Sequence, residues 1–145
     1  MARIKLVWPF AFLVSLLISS SVWAAQDKVT LTGEAQGEAQ IQDGQKGKKQ
    51  VNLKLDGLKS NSLYTVWLVN EKPKMDMAGL GTGDFSFRSD AKGNAQYSAE
   101  ISQEELKKWQ LIEIAYHPDS NPKNMKNYEI VAKGTIPAVE EVVAE

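Results

Sequence analysis

The chain has 145 residues, with 17 basic and 18 acidic residues, one histidine and no cysteine. The lack of cysteine excludes a disulfide framework, a thiol nucleophile, cysteine-based zinc sites and a lipid anchor on a cysteine. The near-neutral net charge of −1 gives no strong attraction to nucleic acid or to an anionic membrane.

The first 24 residues have the pattern of a secretory signal peptide. Arg3 and Lys5 precede an uncharged apolar run at 6–18, and Val22 and Ala24 occupy the two positions that signal peptidase reads. A transmembrane anchor, the alternative, needs about 20 apolar residues. This run is shorter and leads into three serines. We therefore predict a cleaved signal peptide and no stable membrane anchor.

Cleavage before Ala25 leaves a mature chain of 121 residues with a net charge of −3. Secreted eukaryotic domains of this size usually carry disulfides, so the lack of cysteine favours a bacterial periplasmic or extracellular protein. A single domain of this length buries about two-thirds of its unfolded surface and needs no cross-links. The basic cluster Lys46, Lys48 and Lys49 has no aromatic neighbour. It is interpreted as a solvated hairpin tip, and no nucleic-acid partner is expected.

Alternating apolar and polar residues predict that most of the mature chain is β-strand. A tandem Gly-Glu-Ala-Gln repeat at 33–40 places small residues on one face of a strand, which would let a partner sheet or large aromatic side chains approach closely. The segment 63–69 is apolar on both faces, as in a strand covered on both sides. Further strands are predicted around Val29, Val51, Phe85, Ala95, Ile112 and Tyr128, with a hairpin turn at 89–94.

The one predicted helix begins at Ser102, with Glu105 three residues later as in a capping box. Seven to eight short strands and this short crossover helix predict an all-β domain over 25–136, an Ig-like Greek-key β-sandwich. The segment 137–145 is predicted to be an acidic flexible tail. The aromatic core is expected to contain Tyr97, Tyr116 and a deeply buried Trp67.

Two segments resemble known extracytoplasmic domains. The segment LDGLKSNSLYTVWL (55–68) resembles the second-to-third strand element of anti-sigma-K-type sensor domains and of chordin-type domains related to copper/zinc superoxide dismutases. The segment FSFRSDAKGN (85–94) is similar to the second type as well. The resemblance covers about half of the mature chain and implies an extracytoplasmic sandwich. The chain shows no zinc-binding anti-sigma domain and no membrane span. Tyr64, Val66 and Leu68 stand where the dismutase copper histidines are expected, so dismutase activity is not implied.

Soft ligands in predicted loops give the alternative hypothesis of a copper site. Thioether and imidazole groups suit Cu(I), and a periplasmic location makes such a site chemically sensible. The alternative is that the methionines fill gaps and that the histidine merely starts a turn. The four candidate ligands are Met75, Met77, His117 and Met125.

The predicted strand order argues against a site made from all four ligands. It places the loops 71–83 and 117–127 at opposite ends of the domain, separated by about 17 Å of strand. Metal–ligand bonds are only about 2.0–2.3 Å long. We therefore predict no tight Cu(I) site made from all four, and copper handling is the second functional hypothesis.

The same two loops are the predicted recognition elements. Both are long for a compact sandwich, and exposed loops on a rigid scaffold commonly carry binding residues. The sequence has no G-x-S-x-G elbow, and GLGTGD (79–84) lacks the full dinucleotide fingerprint, so no catalysis and no cofactor are predicted. The leading hypothesis is a non-catalytic binding module for an unknown protein or small ligand. The candidate binding residues are Lys74, Asp76, Asn121, Lys123 and Asn124.

Overall fold

The structure, a computed structural model, describes residues 27–137. The predicted signal peptide and nearly all of the predicted tail lie outside the described residues. The described part contains nine strands and one short helix, so the prediction of an all-β chain is confirmed. The elements are β1 (Asp27–Gly33), β2 (Gln36–Asp43), β3 (Lys48–Asp56), β4 (Leu63–Asn70), β5 (Asp76–Gly79), β6 (Ser86–Arg88), β7 (Ala95–Ser102), α1 (Gln103–Leu106), β8 (Leu111–Tyr116) and β9 (Glu129–Thr135).

The strands form one curled antiparallel sheet in the order β5-β4-β8-β9-β1-β2-β3-β7, and β6 also pairs with β4. Strand β1 joins two halves of this sheet, because its first five residues pair with β2 while Thr32 and Gly33 pair with β9. We call β1-β2-β3-β7 the first half-sheet and β5, β6, β4, β8 and β9 the second half-sheet. The inner faces of both halves enclose one hydrophobic core.

The inner face of the first half-sheet follows the predicted alternation. Val51, Leu53 and Leu55 of β3 are buried. The tandem repeat does not form one strand with small residues facing a partner sheet, because β1 ends at Gly33 and β2 begins at Gln36. The close approach occurs within the half-sheet, since a Cβ added at Gly37 would overlap the carbonyl oxygen of Lys54 on the adjacent strand. The repeat therefore serves local packing, in which the absent side chains make room for the adjacent strand.

Strand β4 is apolar on both faces, as predicted, but the expected core aromatic lies on the wrong side. Tyr64 points into the core, and its ring lies 5.6 Å from that of Phe87 and 5.4 Å from that of Tyr116, between centroids. Trp67 lies on the opposite face and is only half-buried. The prediction that Trp67 is a deeply buried core residue was wrong, because an apolar run does not show which of its two faces is inside.

Two predicted connections also differ. The turn at 89–94 is not a hairpin, because β6 pairs with β4 whereas β7 pairs with β3. Asp90 caps this turn by accepting hydrogen bonds from the backbone N–H groups of Lys92 and Asn94, which fixes a reversal but not the neighbours of the flanking strands. The predicted loop 71–83 contains β5, which extends the sheet beside β4.

The helix begins as predicted but is one turn long. The hydroxyl of Ser102 accepts a hydrogen bond from the backbone N–H of Glu105 at 3.1 Å. The Glu105 carboxylate accepts from Lys108 and Trp109 instead of completing the reciprocal capping bond. Between residues 27 and 137 there is no helix with the length and apolar character needed to cross a bilayer.

Candidate functional site

The outward face of the first half-sheet is polar. Its side chains stand in cross-strand rows, and every member of these rows is charged or carries an amide or hydroxyl group. A face of this composition is compatible with water on its own. The rows are Gln42, Gln50 and Glu100; Lys28, Gln40, Asn52 and Ser98; and Thr30, Glu38, Lys54 and Gln96.

The outward face of the second half-sheet has the opposite character, and we call it the apolar outer face. Val69 and Ala115 on this face are fully buried, while Trp67 and Leu111 are half-buried. Part of the cover comes from Phe85, whose ring meets that of Trp67 edge-on with 5.7 Å between centroids. The rows are Met77, Val69, Leu111 and Thr135; Gly79, Trp67, Glu113 and Lys133; and Thr65, Ala115 and Ile130.

Thr65 is a buried hydrogen-bonding junction on this face. The indole N–H of Trp67 donates to Thr65 Oγ1 at 2.7 Å, and His117 Nε2 lies 2.7 Å from the same oxygen. A hydroxyl offers one hydrogen and two lone pairs. The indole N–H, the Thr65 hydroxyl and His117 Nε2 all have partners if the hydroxyl donates to Nε2. In that arrangement Nε2 is an acceptor, so the proton of the neutral imidazole is on Nδ1.

His117 is buried, whereas the sequence placed it in an exposed loop. It directly follows β8, is 1% exposed, and its backbone N–H donates to the carbonyl of Leu63. Burial lowers the pKa of His117, while the charge of Asp119 and the backbone of Asn121 act in the opposite direction. Its Nδ1 is buried and has no hydrogen-bond partner within residues 27–137. As folded, His117 anchors the loop that follows it and does not face solvent.

The loop 117–127 is held by its own polar side chains. Asp119 accepts hydrogen bonds from the backbone N–H of Asn121 at 3.0 Å and from the Asn124 amide at 2.6 Å. Asn121 and Asn124 in turn accept from the backbone N–H groups of Lys123 and Lys126. Two of the predicted binding residues, Asn121 and Asn124, therefore hold the loop in shape. Lys123 is exposed, and its charge helps to lower the pKa of Asp84, after the hydrogen bonds from Ser86.

The segment between β4 and β5 is held from outside. Gln110 Oε1 accepts from the backbone N–H groups of Glu71 and Lys72 at 2.9 and 3.3 Å, and Gln110 Nε2 donates to the carbonyl of Lys72 at 2.9 Å. The predicted binding residue Lys74 is exposed. Asp76 accepts a hydrogen bond from the backbone N–H of Met77.

The four candidate metal ligands do not come together. Met77 pairs with Val69 near the end of β4, whereas His117 lies beside Leu63 at its start. Six residues of strand at about 3.3 Å each separate these positions by about 20 Å. Residues 71–75 lie at the opposite end from the loop 117–127, as predicted, but the rest of the predicted loop 71–83 runs back along β4, where Gly79 pairs with Trp67 and the Leu80 N–H donates to the carbonyl of Val66. Met75 and Met77 are 65% and 36% exposed, and Met125 is 36% exposed. No cluster of three or more His, Asp or Glu side chains suited to a metal occurs among residues 27–137.

Glu113 occupies the middle of the apolar outer face. It stands between Trp67 and Lys133 in its row, and it is half-buried. Burial raises the pKa of Glu113, Lys133 lowers it and Glu71 raises it. Within residues 27–137, the Glu113 carboxylate has neither a hydrogen bond nor an ion pair at 4 Å or less. The charge of Lys133 therefore offsets only part of the desolvation of this half-buried carboxylate.

Sequence reasoning missed this group of residues. The segment LYTVWLV (63–69) carries one hydroxyl on each face, from Tyr64 and from Thr65, so its polarity does not show which face lies inside. The period of two shows only that Thr65 and Trp67 share a face.

Several cavities lie elsewhere, and two of them border charged or aromatic side chains. The larger, about 800 Å³, is lined partly by Lys54, Asp56, Arg88 and Asp90, which present mixed charge around an open groove. The other, about 440 Å³, lies beside α1 and Trp109.

Comparison of the sequence with protein-family models and with curated protein sequences gives no match. The geometry of the described residues therefore carries the functional argument.

Proposed function

We propose that this protein is a non-catalytic binding module of the bacterial periplasm or exterior. Its recognition surface is the apolar outer face, bordered at one end by residues 71–75 and at the other by the loop 117–127. The observation that carries the proposal is the row of Trp67, Glu113 and Lys133 between two mainly apolar rows. The part of this face that the chain leaves accessible contains half-buried Trp67 and Leu111 together with exposed Met77 and Ile130. Accessible apolar side chains bordered by polar ones are typical of a site that a partner covers.

The rigidity of both borders supports recognition. Gln110 fixes the backbone at Glu71 and Lys72, and Asp119 fixes the turn that begins the loop 117–127. A surface that is already ordered loses little conformational entropy when it binds. The exposed ammonium groups of Lys74 and Lys123 supply polar contacts at the two ends, and neither makes an ion pair within residues 27–137.

The arrangement does not favour catalysis. The Thr65 hydroxyl and the His117 imidazole are as close as a nucleophile and its base. Both side chains are buried, however, and the hydroxyl oxygen also accepts a hydrogen bond from the indole N–H of Trp67. The pair therefore serves to join the loop 117–127 to β4.

The finer fold proposal is a Greek-key sandwich. The chain passes between the half-sheets three times, from β3 to β4, from β6 to β7 and from β7 to β8. Such crossings between two packed halves are typical of Greek-key connections. Resemblance of 55–68 and 85–94 to extracytoplasmic sandwich domains supports the same proposal.

The proposal is tested by site-specific photo-crosslinking in the native host. A photoreactive amino acid replaces Leu111 on the apolar outer face or, as the matched control, Asn52 on the polar face. We expect a defined adduct from position 111 and none from position 52. Equal labelling from both positions, or none from position 111, would contradict the proposal. Intact-mass analysis of the same preparations checks the location, with Ala25 as the expected N-terminus.

Copper handling is the second candidate, and the exposure of Met75 and Met77 is the observation that favours it. Two thioethers on one short segment can bind Cu(I) weakly. Since His117 is buried and distant, we expect the affinity to be unchanged in His117→Ala and reduced in Met77→Ala. Competition with a Cu(I) chelator measures both. A tight complex lost in both variants would require a different strand order.

A further inference from the structure

We infer that a second copy of this chain covers the apolar outer face, with Glu113 of each chain paired with Lys133 of the other. This inference rests on the proposed function, because it names the partner of the same surface. Glu113 and Lys133 are direct cross-strand neighbours on β8 and β9. Neither forms an ion pair within residues 27–137. Two opposite charges side by side and unpaired form a self-complementary set.

Symmetry converts this pair into an interface. A two-fold axis that lies in the plane of contact and runs between β8 and β9, parallel to them, places β8 of one chain over β9 of the other. Glu113 then faces Lys133 of the second chain, and the reverse contact follows. Each of these two contacts therefore joins opposite charges.

The neighbouring strands extend the match. Strand β4 of one chain lies over β1 of the other, because these strands flank β8 and β9 in the sheet. Trp67 stands in the row of Glu113, and Thr32 continues that row beyond Lys133. A shallow hollow of about 310 Å³ lies there, lined partly by Thr32 and Gly33. The half-buried indole of Trp67 thus faces this hollow.

The extent of the surface sets the strength of the dimer. A strip four strands wide and six residues long measures about 19 by 20 Å, or about 400 Å² per chain. Stable interfaces bury about 800 Å² per partner. The dimer is therefore weak, and its population depends on protein concentration.

Sedimentation of the full mature protein over a range of concentrations tests the inference, with charge reversals as probes. We expect Glu113→Lys and Lys133→Glu each to raise the dimer dissociation constant by at least about tenfold, because like charges then face each other. An equimolar mixture of the two variants should form a heterodimer, since each Lys then faces a Glu. The double variant should also dimerise. The matched controls Glu38→Lys and Lys54→Glu, which are neighbours on the polar face, should leave the dissociation constant unchanged.

A wild-type protein that is monomeric at all concentrations, or a mixture of the two variants that stays monomeric, overturns the inference. Circular dichroism confirms that each variant is folded. The result is separable from the proposed function, because crosslinking at position 111 to a different protein would keep the apolar outer face as a recognition surface while excluding self-association. An adduct of twice the mature mass supports both.

Discussion

On the first half-sheet, strands β2, β3 and β7 direct amide, hydroxyl and charged side chains outward. On the second half-sheet, strands β4 and β8 direct Val69, Trp67 and Ala115 to the corresponding positions. Both halves use the same antiparallel pairing, and both bury apolar side chains on the inner face. The core therefore requires apolar residues on the inner face of both halves, but it does not determine which residues point outward.

The difference between the two outward faces shows which residues the fold requires. The first half-sheet shows that a sheet of this length is compatible with a fully polar exterior. Apolar residues on the other exterior are thus not required to form the core. They stabilise local structure around Thr65, and they prepare a surface from which water is easily displaced. Substitutions at matched positions on the two faces measure how far this contrast extends.

The largest effect is expected at Trp67. Trp67→Ala removes an indole that contacts Phe85 and hydrogen-bonds Thr65, and should lower the free energy of unfolding by about 3 kcal/mol, the lower end for emptying a large aromatic site. The matched change on the polar face, Asn52→Ala, should cost no more than about 0.5 kcal/mol. Urea denaturation at a fixed protein concentration measures both. Equal costs would remove the energetic contrast between the faces.

The second-largest loss of stability is expected at Thr65, the hydrogen-bonding junction with Trp67 and His117. Thr65→Val keeps the shape of the side chain but leaves His117 Nε2 and the Trp67 indole without their shared partner. An unsatisfied buried polar group costs about 1–3 kcal/mol, so we expect a loss of about 2 kcal/mol. Thr30→Val, on the polar outer face, is the control and should change stability by less than about 0.5 kcal/mol. A similar small change at Thr65 would mean that the junction contributes nothing.

His117 gives the apolar side a dependence on pH. Because burial lowers its pKa in the folded state, the unfolded chain binds a proton more readily. The stability from the neutral imidazole is present above the unfolded pKa of about 6.5 and is lost as the pH falls from there through the folded pKa. His117 is the single histidine of the chain, so its ring resonances are unambiguous in NMR spectra. Titration of the folded protein at or above about pH 6.5 would contradict this assignment.

The smallest effect is expected on the polar face. Gln50→Thr replaces an exposed amide in the centre of a polar row with a residue that favours strands. The free energy of unfolding should change by less than about 0.5 kcal/mol. Thermal denaturation is sufficient to measure it. A loss of more than about 1 kcal/mol would show that the polar rows contribute to folding, contrary to the comparison.

The sequence was sufficient to predict the elements whose pattern has a single interpretation. In β3, Val51, Leu53 and Leu55 alternate with polar residues, so their inward direction was predicted correctly. The Ser102 cap was predicted from local chemistry alone. Local patterns were sufficient because neighbouring residues determine these features.

The missed features depend on partners that are distant in the chain. Strand β5 has no alternating pattern, and it exists because residues 67–70 offer a free edge beside it. The burial of His117 results from its contact with Thr65, 52 residues earlier. No spacing rule connects positions so far apart. The loop 117–127 and residues 71–75 lie at opposite ends of β4, as predicted, whereas residues 76–79 form a strand. The face between the two ends was not foreseen, because it is assembled from four separate strands.

Gln110 has a consequence for the tolerance of the protein to sequence change. Its side chain holds the backbone at Glu71 and Lys72, and its carbonyl accepts a hydrogen bond from Ile136. The connection between β4 and β5 is thus held by hydrogen bonds to a residue outside it. Residues 73–75 therefore contribute little to its conformation. Substitutions or short insertions there should be accepted without loss of the fold. New specificities could therefore arise at this border while the sheet stays unchanged.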